Sequence, residues 1–330
     1  MVSKGNRMKA FVVEKWCEPE EMLFTEVEDP TPSPTQVLIK IHASGVNFPD
    51  ELLIQGKYQM RPKRPFIPGA EIAGEVTQVG EQVKKFKVGD KVYAACFLGG
   101  YSQKVAVEEK DVILMSPSMS YEEAAGFVVT YQSSYFGVVV RGKLESHETL
   151  LVHAGAGGIG TAAIQIGKAL GARVIATAGS EEKLQIAKKA GADEVLNYND
   201  PNWSKKIRKE LGGADVVIDP VGGDILQKSI LCTNFEGRIV IVGFTSGKIS
   251  EVPTNLLLLN NISLVGLFWN LYQKDHPNQI EQAVTQLHKW FEEGKTRPII
   301  YKTFPLQEAP KALKLVTGRK TYGKVILQIP

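Results

Sequence analysis

The chain has 330 residues, 43% apolar and 23% charged, enough for two domains with a sizeable core. Thirty-nine basic residues against 36 acidic ones leave a net charge of +3, a balance that argues against nucleic acid or an anionic membrane as the main partner. Three scattered cysteines, Cys17, Cys96 and Cys232, exclude a disulfide framework and lack metal-ligand spacing, which points to a reducing, cytoplasmic setting.

No apolar run approaches the ~20 residues of a membrane span. Residues 1–7 are polar, without a signal-type apolar core, and read as a leader or cloning remnant. From Met8 the first third is β-rich. Val37–Ile41 and Glu75–Val79 are short, β-branched runs. Asp29-Pro30, Ser33-Pro34, Val88-Gly89-Asp90 and Gly99-Gly100 punctuate them as turns, and Pro62, Pro65 and Pro68 mark a loop. An irregular β-barrel-like domain is expected here.

The pattern changes near residue 127. Strands are predicted at 150–154, 173–177, 194–196, 214–219, 238–242 and 262–267. Helices are predicted between them at 158–170, 181–190 and 203–211, with a further segment at 223–231. Strands alternating with helices indicate βαβ units, and right-handed crossovers place helices on both faces of a parallel, doubly wound sheet. After Trp269 the alternation stops. Ile280, Ala283, Val284, Leu287, Trp290 and Phe291 recur at helical spacing, and Lys324–Ile329 reads as a closing strand. The tail is expected to return to the first domain. The expected division is 1–126 with 270–330, and 127–269.

The run Gly155-Ala156-Gly157-Gly158-Ile159-Gly160 fits G-x-G-x-x-G. It follows a predicted strand and opens a predicted helix, the context that gives the motif its meaning. Gly155 would allow the tight turn, Gly157 the approach of pyrophosphate, and Gly160 close packing of helix on strand. Phosphates would sit on free N–H groups at the positive helix end. The second strand ends Ala176-Thr177-Ala178-Gly179-Ser180 without the carboxylate that binds a ribose 2′-hydroxyl. Ser180 and Lys183 suit a 2′-phosphate, so NADPH is the expected cofactor, although Ser180 also suits an N-cap.

Besides the glycine motif, the chain carries Gly45-Val46-Asn47-Phe48-Pro49-Asp50, Pro68-Gly69-Ala70-Glu71-Ile72-Ala73-Gly74-Glu75-Val76, Val88-Gly89-Asp90-Lys91-Val92 and Gly318-Arg319-Lys320-Thr321-Tyr322-Gly323-Lys324-Val325. In this order and spacing they resemble the zinc-independent quinone oxidoreductase branch, zeta-crystallin-like, of the medium-chain dehydrogenase/reductase superfamily. The resemblance runs from Met8 onward. It implies an α/β fold in which a GroES-like β-barrel catalytic domain accompanies a Rossmann domain. Zinc members carry a cysteine near Asn47 and Gly-His-Glu at the positions of Gly69-Ala70-Glu71, so no metal is expected here. His42 and His153 are expected to be structural.

The resemblance also implies roles. Asn47 would lie near the nicotinamide ribose and donate to the substrate carbonyl, and Thr130 would contact nicotinamide. Val242, Gly243, Phe244 and Phe268 would line the nicotinamide side of the cofactor. Tyr198 would lie with Lys183 at the adenosine phosphate, and Lys324 near the cofactor. Tyr58 matches a pocket tyrosine and is either a proton donor or an aromatic wall. Val129-Thr130-Tyr131-Gln132 departs from the family's commoner pattern. Arg61, Lys63 and Arg64 would border the pocket mouth, solvated or greeting an anion. The expected activity is NADPH-dependent hydride reduction of a quinone or another small α,β-unsaturated carbonyl substrate, by a homodimer. A 2-enoyl thioester (acyl-CoA) reductase and a non-enzymatic, crystallin-like or RNA-binding protein are the other readings.

Overall fold

A computed structural model describes residues 6–330, so residues 1–5 of the leader-like start lie outside it. In the first unit β1 (Arg7–Val12) and β2 (Leu23–Glu28) pair antiparallel. The long β3 (Gln36–Val46) is followed by α1 (Phe48–Ile54), β4 (Glu71–Val79), β5 (Lys91–Ala95), β6 (Lys104–Glu108) and β7 (Val112–Leu114). β3 pairs antiparallel with β4 and β6, β4 with β5, and β5 with β7. Val37, Ile39 and Ile41 alternate inward and join Ile72, Val76 and Val92 in one core. Pro49 sits in the first turn of α1, where a missing N–H costs nothing. α2 (Tyr121–Ala125) opens with a reciprocal cap: Glu123 N donates to Ser120 Oγ and Ser120 N to Glu123 Oε2.

The second unit begins within α3 (Val128–Tyr135), which continues as a π-type turn where Gly142 N donates to Gly137 O at 2.8 Å. β8 (Thr149–Val152), α4 (Gly158–Ala169), β9 (Arg173–Ala178), α5 (Glu181–Lys189) and β10 (Glu194–Asn197) follow. Then come α6 (Trp203–Glu210), β11 (Ala214–Asp219), α7 (Asp224–Ile230), β12 (Thr233–Ile241), α8 (Thr254–Asn260) and β13 (Ser263–Gly266). All six strands are parallel, in the order β10-β9-β8-β11-β12-β13. The order reverses between β8 and β11, the switch point at which doubly wound sheets bind ligands beyond the strands' carboxyl ends. Continuous apolar runs such as Leu150–Val152 and Val216–Ile218 are buried on both faces, as parallel strands require.

α9 (Trp269–Asp275) and α10 (Pro277–Glu292) come next. The chain then returns through β14 (Ile300–Pro305), α11 (Ala309–Thr317) and β15 (Lys324–Gln328). β15 pairs antiparallel with β3 and parallel with β14. The first unit thus runs to Val129 and resumes at Ile300, and the second comprises Thr130–Ile299. The segment 270–299 goes with the second unit, where the sequence division placed it with the first. The helical face of α10 is the reason. Ala283, Leu287, Trp290 and Phe291 are buried, the Trp290 ring lies 6.1 Å from Tyr135, and Arg297 N donates to Gln165 Oε1 on α4.

Candidate functional site

On the second unit the glycine motif joins β8 to α4. The residue with positive φ is Ala154 (49°), not Gly155. Gly155 is required by packing instead: a Cβ there would lie 2.9 Å from Ala176 Cβ and 3.2 Å from Ala187 Cβ. Gly160 packs on the turn itself, where a Cβ would meet Ala154 O at 2.2 Å. Around Gly157, the N-cap of α4, only Ala154 O at 3.3 Å comes near a built Cβ. The turn therefore leaves room at Gly157, beside the first-turn N–H groups of α4, which have no intrahelical acceptor. Ala156 is buried.

Past the carboxyl end of β9, Ser180 caps α5, its hydroxyl accepting from Lys183 N at 3.4 Å. The Tyr198 ring lies over Gly179, with its hydroxyl oxygen 2.8 Å from where a Cβ would be. Asn199 Nδ2 donates to Gly179 O. Ser180, Lys183 and Tyr198 are thus gathered at one strand end, and Asn199 joins them. Val242 N donates to Asp219 O beyond β12, and Phe244 packs over Gly222. Phe244 and Phe268 are partly exposed, past β12 and β13. Thr130 is buried near the start of the second unit. His153 is buried between Thr177 Oγ1 and Ser229 Oγ, 2.7 Å from each, and burial lowers its pKa to about 4. It is a structural residue, as the sequence suggested.

In the first unit the strand register brings Asn47, Glu71 and Lys324 together. Val325 pairs with Val46, and Gly45 pairs with Glu71. Lys324 Nζ donates to Asn47 Oδ1 at 2.7 Å, Glu71 Oε1 at 2.5 Å and Val46 O at 3.3 Å. Asn47 Nδ2 donates to Glu71 Oε1 at 2.8 Å, and Val129 N donates to Glu71 Oε2 at 3.1 Å. Glu71 is 0% and Lys324 4% exposed. Lys324 is therefore a buried partner of Glu71 and Asn47, not a solvated strand-end lysine. Gly45 leaves room for the carboxylate, since a Cβ there would sit 2.3 Å from Glu71 Oε1.

Asp50 lies beside this cluster, 3% exposed, accepting from Asn47 N at 2.8 Å and Tyr101 Oη at 2.9 Å. Burial raises its pKa to about 7, against the lowering influence of its two hydrogen bonds and Lys324. Tyr58 is half-buried against the first unit's core, and burial, then the charge of Asp50, raises its phenol pKa. Its loop is braced by Trp16: Gly56 abuts the indole, and Arg64 stacks on it with its guanidinium carbon 4.5 Å from the ring centroid. Among the described residues no group of three or more His, Cys, Asp or Glu side chains is placed to hold a metal ion.

Sequence reasoning missed Glu71, Tyr101 and Asn199 as site residues. Glu71 stands out little in its strand, which also carries Glu75, Thr77 and Gln78. Asn199 and Tyr101 carry no pattern, because only the fold brings them to their partners.

Residues 33–117 match the family model described as alcohol dehydrogenase GroES-like domain, and 158–289 the one described as zinc-binding dehydrogenase. Quinone oxidoreductase-like protein 2 of Bos taurus is 38% identical over 309 residues, covering 92% of this chain and 88% of that protein. The quinone oxidoreductase of Sus scrofa is 33% identical over 332 residues, 99% of each chain. The crystal structure of Escherichia coli quinone oxidoreductase complexed with NADPH superposes with a TM-score of 0.89 at 28% identity, covering 98% of this chain and 99% of that one. A GroES-like N-terminal unit joined to a six-stranded parallel Rossmann-type sheet defines a medium-chain dehydrogenase/reductase. Within that superfamily the chain belongs to the quinone oxidoreductase, zeta-crystallin-like branch.

Proposed function

We propose that this protein is an NADPH-dependent, zinc-independent reductase of quinones or other α,β-unsaturated carbonyl compounds. The observation that carries the reading is the Asn47 carboxamide. It is held by Lys324 and Glu71 with one N–H uncommitted, in a chain whose relatives are named quinone oxidoreductases. The open turn at Gly157 and the free N–H groups of α4 fit a pyrophosphate. Ser180, Lys183 and Tyr198, with no carboxylate ending β9, fit a 2′-phosphate. NADPH bound there supplies the hydride.

The protein's own residues supply position and polarity. Thr130, Val242, Gly243, Phe244 and Phe268 hold the nicotinamide side of the cofactor. Asn47 donates to the substrate oxygen, which gains charge as the carbonyl system is reduced, and a donor fixed beforehand costs no reorganisation at that moment. Tyr58 walls the pocket, and its phenol, held neutral by burial, is a hydrogen-bond donor to a substrate oxygen. A phenol that instead passes its proton to an enolate would make enoyl thioesters the rival substrate class. The assembly is a homodimer paired through β13.

Titration calorimetry of NADPH and NADH against the protein and Lys183→Glu tests the cofactor assignment. NADPH is expected to bind at least tenfold more tightly than NADH, and the variant to lose the preference. Equal binding of the two cofactors sinks it. A panel of quinones, enals and enoyl-CoA then separates the substrate classes.

A further inference from the structure

We infer that Lys324 is a positioning residue for the reduction: its buried ammonium, with Glu71 as counter-charge, dictates which end of the Asn47 carboxamide faces the substrate. The inference rests on the function proposed above for its consequence, but not for its geometry.

The two ends of a carboxamide are nearly identical in shape and opposite in hydrogen-bonding sense. What distinguishes them is the company they keep. An ammonium has only donors, so the end of Asn47 that meets Lys324 Nζ at 2.7 Å is the oxygen. An ionised carboxylate has only acceptors, so the end that meets Glu71 Oε1 at 2.8 Å is the nitrogen. Flipping the amide would set donor against donor and acceptor against acceptor, in a site shielded from water. One orientation survives.

The clamp is complete in itself. The three protons of the ammonium meet three acceptors, Val46 O, Asn47 Oδ1 and Glu71 Oε1. Both carboxylate oxygens of Glu71 are engaged, Oε1 by Lys324 and Asn47 and Oε2 by Val129 N. Space is reserved for it as well. A Cβ on Gly45 would strike Glu71 Oε1, and one on Gly126 would lie 3.2 Å from Lys324 Cγ. The second Nδ2 proton of Asn47 makes no hydrogen bond among the described residues, and the residue retains 9% exposure. That proton is the product of the arrangement: a donor whose direction is set by two charges brought together from positions 71 and 324. Without the clamp, nothing holds the carboxamide nitrogen toward the substrate, and both the fixed donor and its preorganisation are lost.

Removing the lysine alone would strand the Glu71 charge in the core, so the test uses the neutral pair Lys324→Met with Glu71→Gln. The carboxamide introduced by Glu71→Gln can donate or accept, which frees the Asn47 amide to flip. In full-length protein labelled with 15N-asparagine, the Asn47 side-chain signal is assigned by its loss in Asn47→Ala. The wild type is expected to show a single pair of well-separated side-chain amide proton signals, and the double variant an averaged or doubled pair. An averaged or doubled pair in the wild type overturns the inference whether or not the variant folds.

With substrate, kcat of the double variant is expected to fall 10- to 100-fold while the NADPH Kd stays within twofold. In an Asn47→Ala background the same double substitution is expected to change kcat less than twofold, because its route is gone. Equal losses in both backgrounds would show a merely structural role and overturn the inference. A wild type that turns over nothing in the panel refutes the proposed function, while the spectrum still decides the orientation.

Discussion

Asp50 and Glu71 put two carboxylates into the first unit's interior, and Lys324 is the cation whose charge both feel. Lys324 binds Glu71 directly and only lowers the Asp50 pKa from a distance, so burial wins there and Asp50 titrates at about 7 instead of 3.8. The folded state then holds a proton that the unfolded chain releases. The stability this contributes is fully present below the ordinary carboxylate pKa and is lost as pH rises through about 7. Asp50→Asn keeps an oxygen acceptor for Asn47 N and Tyr101 Oη but removes the titration. Urea midpoints at pH 5, 6, 7 and 8 are expected to show wild type losing stability relative to Asp50→Asn up to about pH 7 and levelling beyond it. Parallel curves would refute the assignment. At this scale the sequence was legible at His153, expected to be structural and found buried between two hydroxyls. It was not legible where burial decides, since nothing local marks Glu71 as wholly enclosed or Lys324 as its partner.

At the scale of elements, α4 shows how one motif divides its labour. Gly160→Ala would force a Cβ within 2.2 Å of Ala154 O and 2.7 Å of Gly155 Cα, both backbone, and must push the helix off the turn. It is expected to cost about 1–3 kcal/mol, as overpacked cores do, and to weaken NADPH binding with it. Gly157→Ala meets only Ala154 O at 3.3 Å, so it is expected to fold near the wild-type midpoint yet bind NADPH at least tenfold less tightly. Urea unfolding and calorimetry on both variants check the pair. Unchanged affinity in Gly157→Ala would move the phosphate site elsewhere.

The strands of the second unit read well from sequence because two-sided burial writes them as apolar runs bounded by turns. β12 begins earlier than predicted, at Thr233 instead of Arg238. Asn234 to Gly237 has turn composition, with Glu236 at φ 58°, so its pairing with β11 is irregular there. α1 carries no clear periodic signal because it is only seven residues long, with Pro49 in its first turn and Gly56 just beyond. α10 was found but misplaced: its apolar face announces burial without saying against what.

For the whole molecule, the outer edge of β13 has no partner strand among the described residues. Beside it in sequence, α8 buries none of its residues and leaves Leu258 and Leu259 about 70% exposed. An uncovered edge with apolar neighbours invites pairing, and two-fold pairing closes the assembly and prevents a filament. Light scattering at micromolar concentration is expected to give about twice 36.2 kDa, and Leu258→Glu with Leu259→Glu to shift it toward one chain. A wild-type particle of single-chain mass would refute the dimer.

The pairing of β3 with β15 also has a meaning in time. A ribosome makes β3 early and must add the whole of 130–299 before the strand that neighbours it, with Lys324 at its head, emerges. The second unit, continuous in sequence, has every strand it needs while the first is still one short. During that interval Glu71 lacks the ammonium it lies against in the folded chain, and β3 lacks the neighbour that covers its edge. The order of synthesis thus makes the first unit wait for the second, and a chain released before residue 324 would keep a finished second unit and an unfinished first one that quality control could recognise.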